Sequence, residues 1–244
     1  MKLPAFLILL TLACLPLRAE YARVDIRVHA SGAKGTLHLY FFDDRRAGFR
    51  MIDQGGIENQ KYRNLEAAMK AHKCLAGCNG GFFGKDGNPL GLVIAGGKQS
   101  GAVNLQSSLT SGVLGQGVGQ PFIERAESYF GEGRKNHENV LQSGPLLVEK
   151  GKIVGGLSNR RYSRRTFVLT DGANRWAIGH SPAITLKQLA EALADPKTFS
   201  GFNVATALNL DGGSSSGLWI SKEHRPFYLR EFNSVRNFVG VVRK

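Results

Sequence analysis

The sequence predicts an α+β fold in a single domain, with a largely antiparallel or mixed β-sheet and a few packed helices. Three observations lead to this prediction. Several segments alternate apolar and polar residues, which is the period of a half-buried strand. Two segments carry apolar residues at helical spacing. No strand–helix–strand repeat, which is typical of a parallel sheet, occurs along the chain.

Residues 1–19 are expected to form a secretory signal peptide. Lys2 supplies a basic start, residues 5–13 are apolar, and the small residue Ala19 precedes the body of the chain. The apolar run is too short to span a bilayer, and no second such run follows. A lipoprotein attached through Cys14 is the alternative, disfavoured because Thr11 stands where such motifs usually carry Leu. We therefore expect one domain over residues 20–244 that is periplasmic or secreted, without a transmembrane segment.

The predicted domain is strongly basic. Residues 1–19 remove Lys2 and Arg18 from the 32 basic residues, which leaves 30 basic and 19 acidic residues and a net charge of about +11. This charge favours anionic partners such as phosphorylated glycans, lipopolysaccharide or a membrane surface. Nucleic acid is not expected, because the basic residues are scattered and no binding motif occurs. The sequence carries no signal for the oligomeric state.

The first elements are two strands and a helix. Residues 21–29 and 35–42 alternate in polarity, so we expect antiparallel neighbours with one face in water. Asn64 is a typical N-cap for a helix. The predicted apolar face of this helix comprises Leu65, Ala68, Met69 and His72. His72 is therefore expected at a core boundary rather than in a ligand site.

Cys74 and Cys78 are expected to form a disulfide, since a close, even pair in an oxidising compartment usually does. Free structural thiols are the next alternative, ahead of a catalytic thiol at Cys78 or a metal site. The three-residue spacer differs from that of a thioredoxin-like pair, and no second Cys/His pair at zinc-ligand spacing follows.

After the helix, Asn79, Gly80 and Gly81 precede Phe82 and Phe83. The paired glycines indicate that the backbone passes close to another group, and the Asn79 amide has both donors and an acceptor for a ligand. A strand with a bulge is the structural alternative.

An arginine-rich segment stands in the middle of the chain. Residues 140–154 predict a strand that leads into a hairpin, and residues 166–170 predict another strand. The arginines that precede this second strand are Arg160, Arg161, Arg164 and Arg165. A solvated sheet edge would explain them. Alternatively, Arg165, the closest to the strand, binds a phosphate or carboxylate through its planar guanidinium.

Thr185 and Gln188 form the capping box of a second helix, which ends at Asp195-Pro196. The apolar face expected to pack on the sheet comprises Leu186, Leu189, Ala190 and Leu193. The closing segments 227–232 and 235–242 are predicted strands.

The stretch 205–220 is the main candidate site. An apolar strand is followed by Asn209 and Asp211, a Gly212-Gly213 break, and three hydroxyls at Ser214, Ser215 and Ser216. Glycines allow positive φ and close approach of a ligand. Hydroxyls and backbone N–H groups can bind phosphate or sugar oxygens. An ordinary hairpin turn is the structural alternative.

The same stretch also fits the G-x-S-x-G pattern of serine esterases, with Ser215 as nucleophile. That pattern requires a strand, a sharp turn and a helix. Residues 218–220 resemble a strand instead, which disfavours this alternative.

Five motifs follow one another along the chain. They are Asn79-Gly80-Gly81-Phe82-Phe83, Pro89-Leu90-Gly91-Leu92, Ser143-Gly144-Pro145-Leu146, Arg165-Thr166 and Leu208-Asn209-Leu210-Asp211-Gly212-Gly213-Ser214-Ser215. In this order they resemble the phosphodiester glycosidase family, which includes the uncovering enzyme that removes N-acetylglucosamine from phosphodiesters on mannose 6-phosphate. The resemblance covers about residues 23–242.

The resemblance implies hydrolysis at an anomeric carbon with a phosphate ester as leaving group. Arg165, Asp211 and Asn79 are then the expected catalytic residues, with Arg165 on the phosphate and Asp211 as acid/base or nucleophile. Asn79 and Asn209 would orient sugar hydroxyls. The other expected substrate-binding residues are Gly80, Gly81, Thr166, Gly212, Gly213, Ser214 and Ser215. Asp86 and Glu231 are candidates for a second carboxylate.

A non-catalytic periplasmic binder of anionic glycans would use the same Asn, Arg and Ser groups. No cofactor is predicted. Asp211 and Asn209 offer oxygen ligands to a divalent cation, but two ligands fall short of a coordination sphere, so no metal site is predicted.

Overall fold

A computed structural model describes residues 19–27, 34–56, 58, 60–133 and 136–244. The signal-peptide and Cys14 predictions fall on residues 1–18, outside this part of the chain. The described residues form 17 strands and three α-helices. None of these helices has the length and apolarity needed to cross a bilayer.

The first sheet has seven strands in the order β1-β2-β13-β12-β14-β10-β11. Its strands are β1 (Glu20–Arg27), β2 (Lys34–Asp43), β10 (Leu146–Glu149), β11 (Lys152–Ile153), β12 (Ser163–Thr170), β13 (Arg175–Ile184) and β14 (Thr206–Asn209).

Two five-stranded sheets complete the fold, in the orders β16-β15-β4-β17-β3 and β6-β5-β9-β7-β8. The second sheet comprises β3 (Ala47–Asp53), β4 (Ala76–Asn79), β15 (Leu218–Ile220), β16 (Phe227–Leu229) and β17 (Asn237–Arg243). The third comprises β5 (Val93–Ala95), β6 (Lys98–Ser100), β7 (Gly112–Gln116), β8 (Pro121–Arg125) and β9 (Asn139–Ser143).

The helices are α1 (Leu65–Ala71), α2 (Ala126–Gly131) and α3 (Leu186–Ala194). The predicted caps are confirmed. Asn64 accepts a hydrogen bond from the Ala67 N–H, and Thr185 and Gln188 form both bonds of a capping box. Helix α2 was not predicted: it has six residues and no side-chain cap.

Every strand pairing in the described residues is antiparallel, which confirms the predicted α+β class. The main core lies between the first and second sheets, where Phe42 and Val168 meet Val239 and Ala76. The opposite face of the first sheet packs against α3, with Phe167 and Leu169 buried there. Central strands of the first sheet such as β12 and β14 are therefore covered on both faces, whereas the edge strands β1 and β11 are largely exposed.

The expected strand near residue 140 is divided between two sheets. Residues 139–143 form β9 in the third sheet, whereas residues 146–149 form β10 in the first. The chain changes sheet at Gly144-Pro145, where proline has no N–H for a ladder bond. The predicted hairpin between β10 and β11 is confirmed.

The expected disulfide is wrong, because Cys74 and Cys78 are both free and buried. Cys78 lies in β4 and packs in the core between the first two sheets. Cys74 packs in a separate cluster with Leu65 and Met69 of α1. The two thiols thus belong to opposite sides of the second sheet, and proximity in sequence does not bring them together.

Candidate active site

Asp211 lies two residues beyond the end of β14, a central strand of the first sheet. The backbone N–H of Asp211 donates to the Gly80 oxygen at 3.0 Å, and its backbone oxygen accepts from Asn79 Nδ2 at 2.7 Å. These two bonds join the motif after β4 to the motif after β14. A hairpin between the flanking strands is excluded, because β14 and β15 belong to different sheets.

Asn79 is buried and its hydrogen bonds are directed into the protein. Its Oδ1 accepts from Thr166 Oγ1 at 2.7 Å and from the Gly217 N–H at 3.0 Å. With the Nδ2 bond to Asp211, this side chain connects β4, β12 and both ends of the Asp211–Gly217 loop. Asn79 and Thr166 therefore position the loop.

Gly80 and Gly81 are required by close packing. A Cβ at Gly80 would lie 2.0 Å from Asn237 Oδ1, and one at Gly81 would lie 3.0 Å from the Gln142 oxygen. Asn237 accepts from both glycine N–H groups, through its backbone oxygen from Gly80 and through Oδ1 from Gly81. The paired glycines thus bring the chain against β17.

Gly212 and Gly213 differ from each other. Gly213 has φ +67°, the left-handed region that glycine tolerates best, whereas Gly212 is extended at φ −126°. A Cβ at Gly212 would lie 3.0 Å from the Arg164 oxygen. Gly213 therefore makes the turn, and Gly212 fits beside β12. Residues Gly213–Ser215 then form a single 3-10 turn.

The Asp211 carboxyl group has a perturbed pKa. Burial raises it to about 6, although hydrogen bonds from the Ser215 hydroxyl and the Gly212 N–H act in the opposite direction. The Gly212 bond to Oδ1 measures 2.7 Å. No salt bridge involves this carboxyl group within the described residues. A carboxyl group of this kind beyond the end of a strand is suited to proton transfer.

Arg165 lies beside the loop that carries Asp211. The β12–β14 register ends where Phe167 pairs with Asn209, and beyond it Gly212 is the loop residue next to the Arg165 side chain. Arg165 is 9% exposed, and its Nε and Nη2 donate to the backbone oxygens of Ile184 and Arg161. Its Nη1 makes no hydrogen bond in the described part of the chain and would lie 3.7 Å from a Cβ at Gly212.

The serines and Asn209 have distinct environments. Ser214 is exposed, and its Oγ accepts from Asn233 Nδ2 at 2.8 Å. Ser215 is buried beside Asp211. Asn209 Nδ2 donates to the oxygens of Gly144 and Leu210, whereas its buried Oδ1 has no partner among the described residues. Ser214 is therefore the most accessible of the predicted ligand-binding hydroxyls.

Comparison with known proteins shows the family of this chain. The family model for phosphodiester glycosidase matches residues 72–242. The chain belongs to the phosphodiester glycosidase family. The match includes Asn79, Arg165 and Asp211, which the fold places around the end of β14. No curated protein matches the chain.

Solved structures share the fold of this phosphodiester glycosidase domain. The catalytic domain of zebrafish N-acetylglucosamine-1-phosphodiester alpha-N-acetylglucosaminidase, auto-inhibited by its pro-peptide, is 20% identical with a TM-score of 0.66, over 91% of this chain and 82% of that chain. A hypothetical protein from Synechocystis is 15% identical with a TM-score of 0.62, over 92% and 61%. A candidate exported protein from Burkholderia pseudomallei is 10% identical with a TM-score of 0.51, over 86% and 74%.

The two candidates for a second carboxylate are engaged elsewhere in this family member. Glu231 is buried, and its oxygens accept from the Leu65 N–H at the start of α1 and from the Tyr228 hydroxyl. Asp86 is exposed in the loop after Phe83 and accepts from the backbone and side chain of Asn88. Glu231 therefore caps a helix, and Asp86 stabilises a turn.

The esterase alternative lacks its required context. Ser215 is followed by strand β15 instead of a helix, and its hydrogen-bond partner is Asp211. A metal cluster of three or more His, Cys, Asp or Glu side chains does not occur in the described residues.

Sequence reasoning missed the contribution of Asn237 and Arg164. Asn237 holds Gly81 from 156 residues away, and Arg164 holds the far end of the Asp211 loop through the Ser216 oxygen. A polar residue at the start of an apolar strand was the only sequence signal for Asn237. Arg164 was one of four similar arginines until strand pairing distinguished them.

Proposed function

We propose that the protein is an exported hydrolase that cleaves the glycosidic bond of a sugar-1-phosphodiester or a related anionic glycan. One observation carries this proposal: Arg165 is a buried cation with no carboxylate partner in the described residues, and it lies beside Gly212 in the loop that carries Asp211. Buried charges in proteins are normally paired. An anionic substrate would supply the missing partner.

The phosphate side of the site is formed by Arg165 and Ser214. The two backbone oxygens that Arg165 binds fix the plane of its guanidinium, which leaves Nη1 directed to the phosphate. Ser214 Oγ already accepts a bond from Asn233, so its own O–H proton is available to a phosphate oxygen. Charge that develops on the departing phosphate is thus stabilised.

Asp211 serves the sugar side as general base. Its carboxylate takes a proton from water, and the water oxygen forms a bond to the anomeric carbon. The bond from that carbon to the phosphate oxygen breaks, and its electron pair leaves with the phosphate ester, which Arg165 holds. A phosphate ester is a good leaving group, so the reaction requires only one carboxylate.

The test measures release of phosphate ester from a panel of sugar-1-phosphodiesters that includes UDP-N-acetylglucosamine. We compare the wild type with Asp211→Asn, and with Asp86→Asn as a matched carboxylate control. We expect Asp211→Asn to lose about 100-fold or more in kcat/KM, and Asp86→Asn to retain the wild-type value. If Asp211→Asn is as active as the wild type, Asp211 is not part of the mechanism. If the wild type releases no phosphate ester from any substrate of the panel, the proposed reaction is wrong.

A glycan-binding protein without catalysis is the second candidate, because an unpaired buried arginine also suits simple binding. Affinity separates the two functions. A binding protein retains its affinity in Asp211→Asn and shows no turnover in the wild type, whereas the proposed hydrolase loses turnover with its fold intact.

A further inference from the structure

A cavity of about 580 Å³ lies on the opposite side of β12 from Arg165. It is formed between strands β2, β12 and β13 of the first sheet and the β16 segment of the second. The side chains that matter for its chemistry are His38, Arg164, His180, Arg230 and Phe232. Two arginines line this cavity and no carboxylate does, so the lining favours an anion; the Glu231 carboxylate acts on Arg164 from outside the lining.

Strand geometry shows that this cavity is separate from the Asp211 site. Neighbouring side chains on a strand point to opposite faces. Thr166 contacts Asn79 of the second sheet, and Thr166 pairs with His180 across β12 and β13. Arg164 lies on that face and bonds to His180, whereas Arg165 lies on the face covered by α3. The cavity is therefore a different site from the one that contains Asp211.

Arg164 is fixed in the cavity wall with part of its guanidinium unused. Its Nε donates to His180 Nε2 at 3.2 Å, and its Nη2 donates to the oxygens of Ser216 and Arg230 at 2.6 and 2.8 Å. Its Nη1 is shielded from solvent and has no partner among the described residues. A shielded charged donor without an acceptor is costly unless a ligand supplies one.

His180 contributes a second unused donor. A guanidinium can only donate, so His180 Nε2 must be the unprotonated acceptor and Nδ1 must carry the proton. His180 is 6% exposed, and its Nδ1 has no partner in the described residues. The two orphan groups in this wall are thus both donors, and both require an acceptor such as an oxyanion.

Phe232 forms the rim of the cavity. Its ring is 74% exposed, and the Arg164 guanidinium lies 4.4 Å from its centre. The Phe232 N–H donates to the Ser214 oxygen at 2.7 Å, which fixes the rim against the Asp211 loop. Because Nη1 is shielded and the ring lies against the guanidinium, a ligand that binds Nη1 would have to displace this ring. An exposed flat aromatic face also suits the apolar C–H face of a sugar ring.

We propose that this cavity is a second ligand site, which binds an acidic sugar with its carboxylate or phosphate on Arg164 and His180 and its ring against Phe232. The cavity borders the Asp211 loop through the Ser214 and Ser216 oxygens, but the ligand proposed here uses neither Asp211 nor Arg165. Failure of this proposal would therefore leave the proposed hydrolysis untouched, and the reverse also holds.

Isothermal titration calorimetry of the whole protein tests the ligand class. The probes are D-glucuronate and glucose 6-phosphate as acidic sugars, D-glucose as the neutral ring, and inorganic phosphate as the anion without a ring. We expect at least one acidic sugar to bind about tenfold more tightly than glucose, since a hydrogen bond to a charged group is strong. If glucose binds as well as both acidic sugars, or if neither acidic sugar binds, the proposal is wrong.

Two pairs of variants locate the binding. Arg230→Ala removes an exposed cation that lines the cavity, and Arg225→Ala removes an exposed cation outside its lining, so both change the net charge equally. We expect Arg230→Ala alone to weaken acidic-sugar binding, by about tenfold. Arg164 is left unchanged, because its bonds to the Ser216 and Arg230 backbone would be lost with it.

Phe232→Ala tests the ring contact, with the fully exposed Val118→Ala as control. We expect Phe232→Ala to weaken the binding of acidic sugars by about threefold or more. The binding of inorganic phosphate should not be weakened, and Val118→Ala should change neither affinity. Equal losses in Arg230→Ala and Arg225→Ala would show that net charge alone attracts the ligand, and this result would overturn the site.

Discussion

Asn79 Nδ2 donates a hydrogen bond to the backbone oxygen of Asp211 at 2.7 Å, across 132 residues of sequence. The same side chain accepts from Thr166 and Gly217, so one buried amide sets the position of the loop that carries the candidate catalytic carboxyl group. Asn79 and Asp211 therefore belong to one hydrogen-bonded unit, in which the Asn79 side chain faces inward.

Asn79→Ala is expected to destabilise the fold. It leaves the Thr166 hydroxyl, the Gly217 N–H and the Asp211 oxygen without their partner, so we expect a loss of about 3 kcal/mol or more in the free energy of unfolding. Urea unfolding measures this loss. The control, Asn88→Ala, removes an exposed side chain bonded to Asp86 and should change stability by about 0.5 kcal/mol at most. Similar values for both variants would contradict the role given to Asn79.

Asp211 makes stability depend on pH. The folded-state pKa of about 6 exceeds the ordinary value of 3.8, so the folded protein binds the proton more tightly than the unfolded chain does. This contribution is fully present below about pH 4 and is lost as pH rises through 6. We expect Asp211→Asn to be more stable than the wild type at pH 8 by about 1–3 kcal/mol, with the difference vanishing near pH 3. A constant difference across this range would refute the raised pKa.

The proposed role of Asp211 as a base also predicts the pH profile of activity. The carboxylate must be ionised to accept a proton, and its pKa lies near 6. We expect kcat/KM for a phosphodiester substrate to fall about tenfold for each pH unit below 6 and to level off above 7. An acid limb near pH 4 would instead indicate an unperturbed carboxyl group.

Arg165→Lys retains the positive charge and removes the planar fork. The three donors of a lysine ammonium lie on one nitrogen. They cannot bind the Ile184 and Arg161 oxygens and also offer phosphate two parallel donors, as the guanidinium can. We expect kcat/KM to fall by about 10- to 100-fold. The matched change Arg160→Lys, at an exposed position in the same basic run, should leave it unaltered. Full activity of Arg165→Lys would show that the guanidinium does not hold the phosphate.

The buried thiols are expected to be reduced and unreactive in the folded protein. Burial raises the pKa of Cys74 to about 12 and that of Cys78 further, which suppresses the reactive thiolate. Alkylation should label both cysteines only after unfolding, and a reducing agent should leave Tm unchanged. A lower Tm after reduction would be the sign of a disulfide that the fold does not contain.

Several local features were predictable from the sequence. The helix starts at Asn64 and Thr185 depend on hydrogen bonds within three residues, so short-range patterns were sufficient. The antiparallel pairing of β1 and β2 was predicted from their alternation and is confirmed. The exposed face expected for β2 is wrong, because Tyr40 and Phe42 pack in the core between the first two sheets while Leu39 and Phe41 pack on the α3 side. Helix α2 was missed because six residues without a cap leave little periodic signal.

The candidate site was only partly predictable. The motifs identified Asn79, Arg165 and Asp211, but their spacing along the chain did not show which side chains face outward. Glu231 was a reasonable carboxylate candidate in sequence, yet it binds the Leu65 N–H, 166 residues away. The disulfide prediction failed for a related reason, because nearness in sequence took no account of the sheet between the two thiols.

The sequence by itself determined the caps, the strand alternation and the family motifs, since each depends on residues close together in the chain. The tertiary structure alone decided that Asn79 supports Asp211, and that Arg164 and Arg165 serve opposite faces of β12. Those assignments depend on strand register between segments more than 80 residues apart. A change of one residue in that register would exchange the two arginines, because side chains alternate between the faces of a sheet.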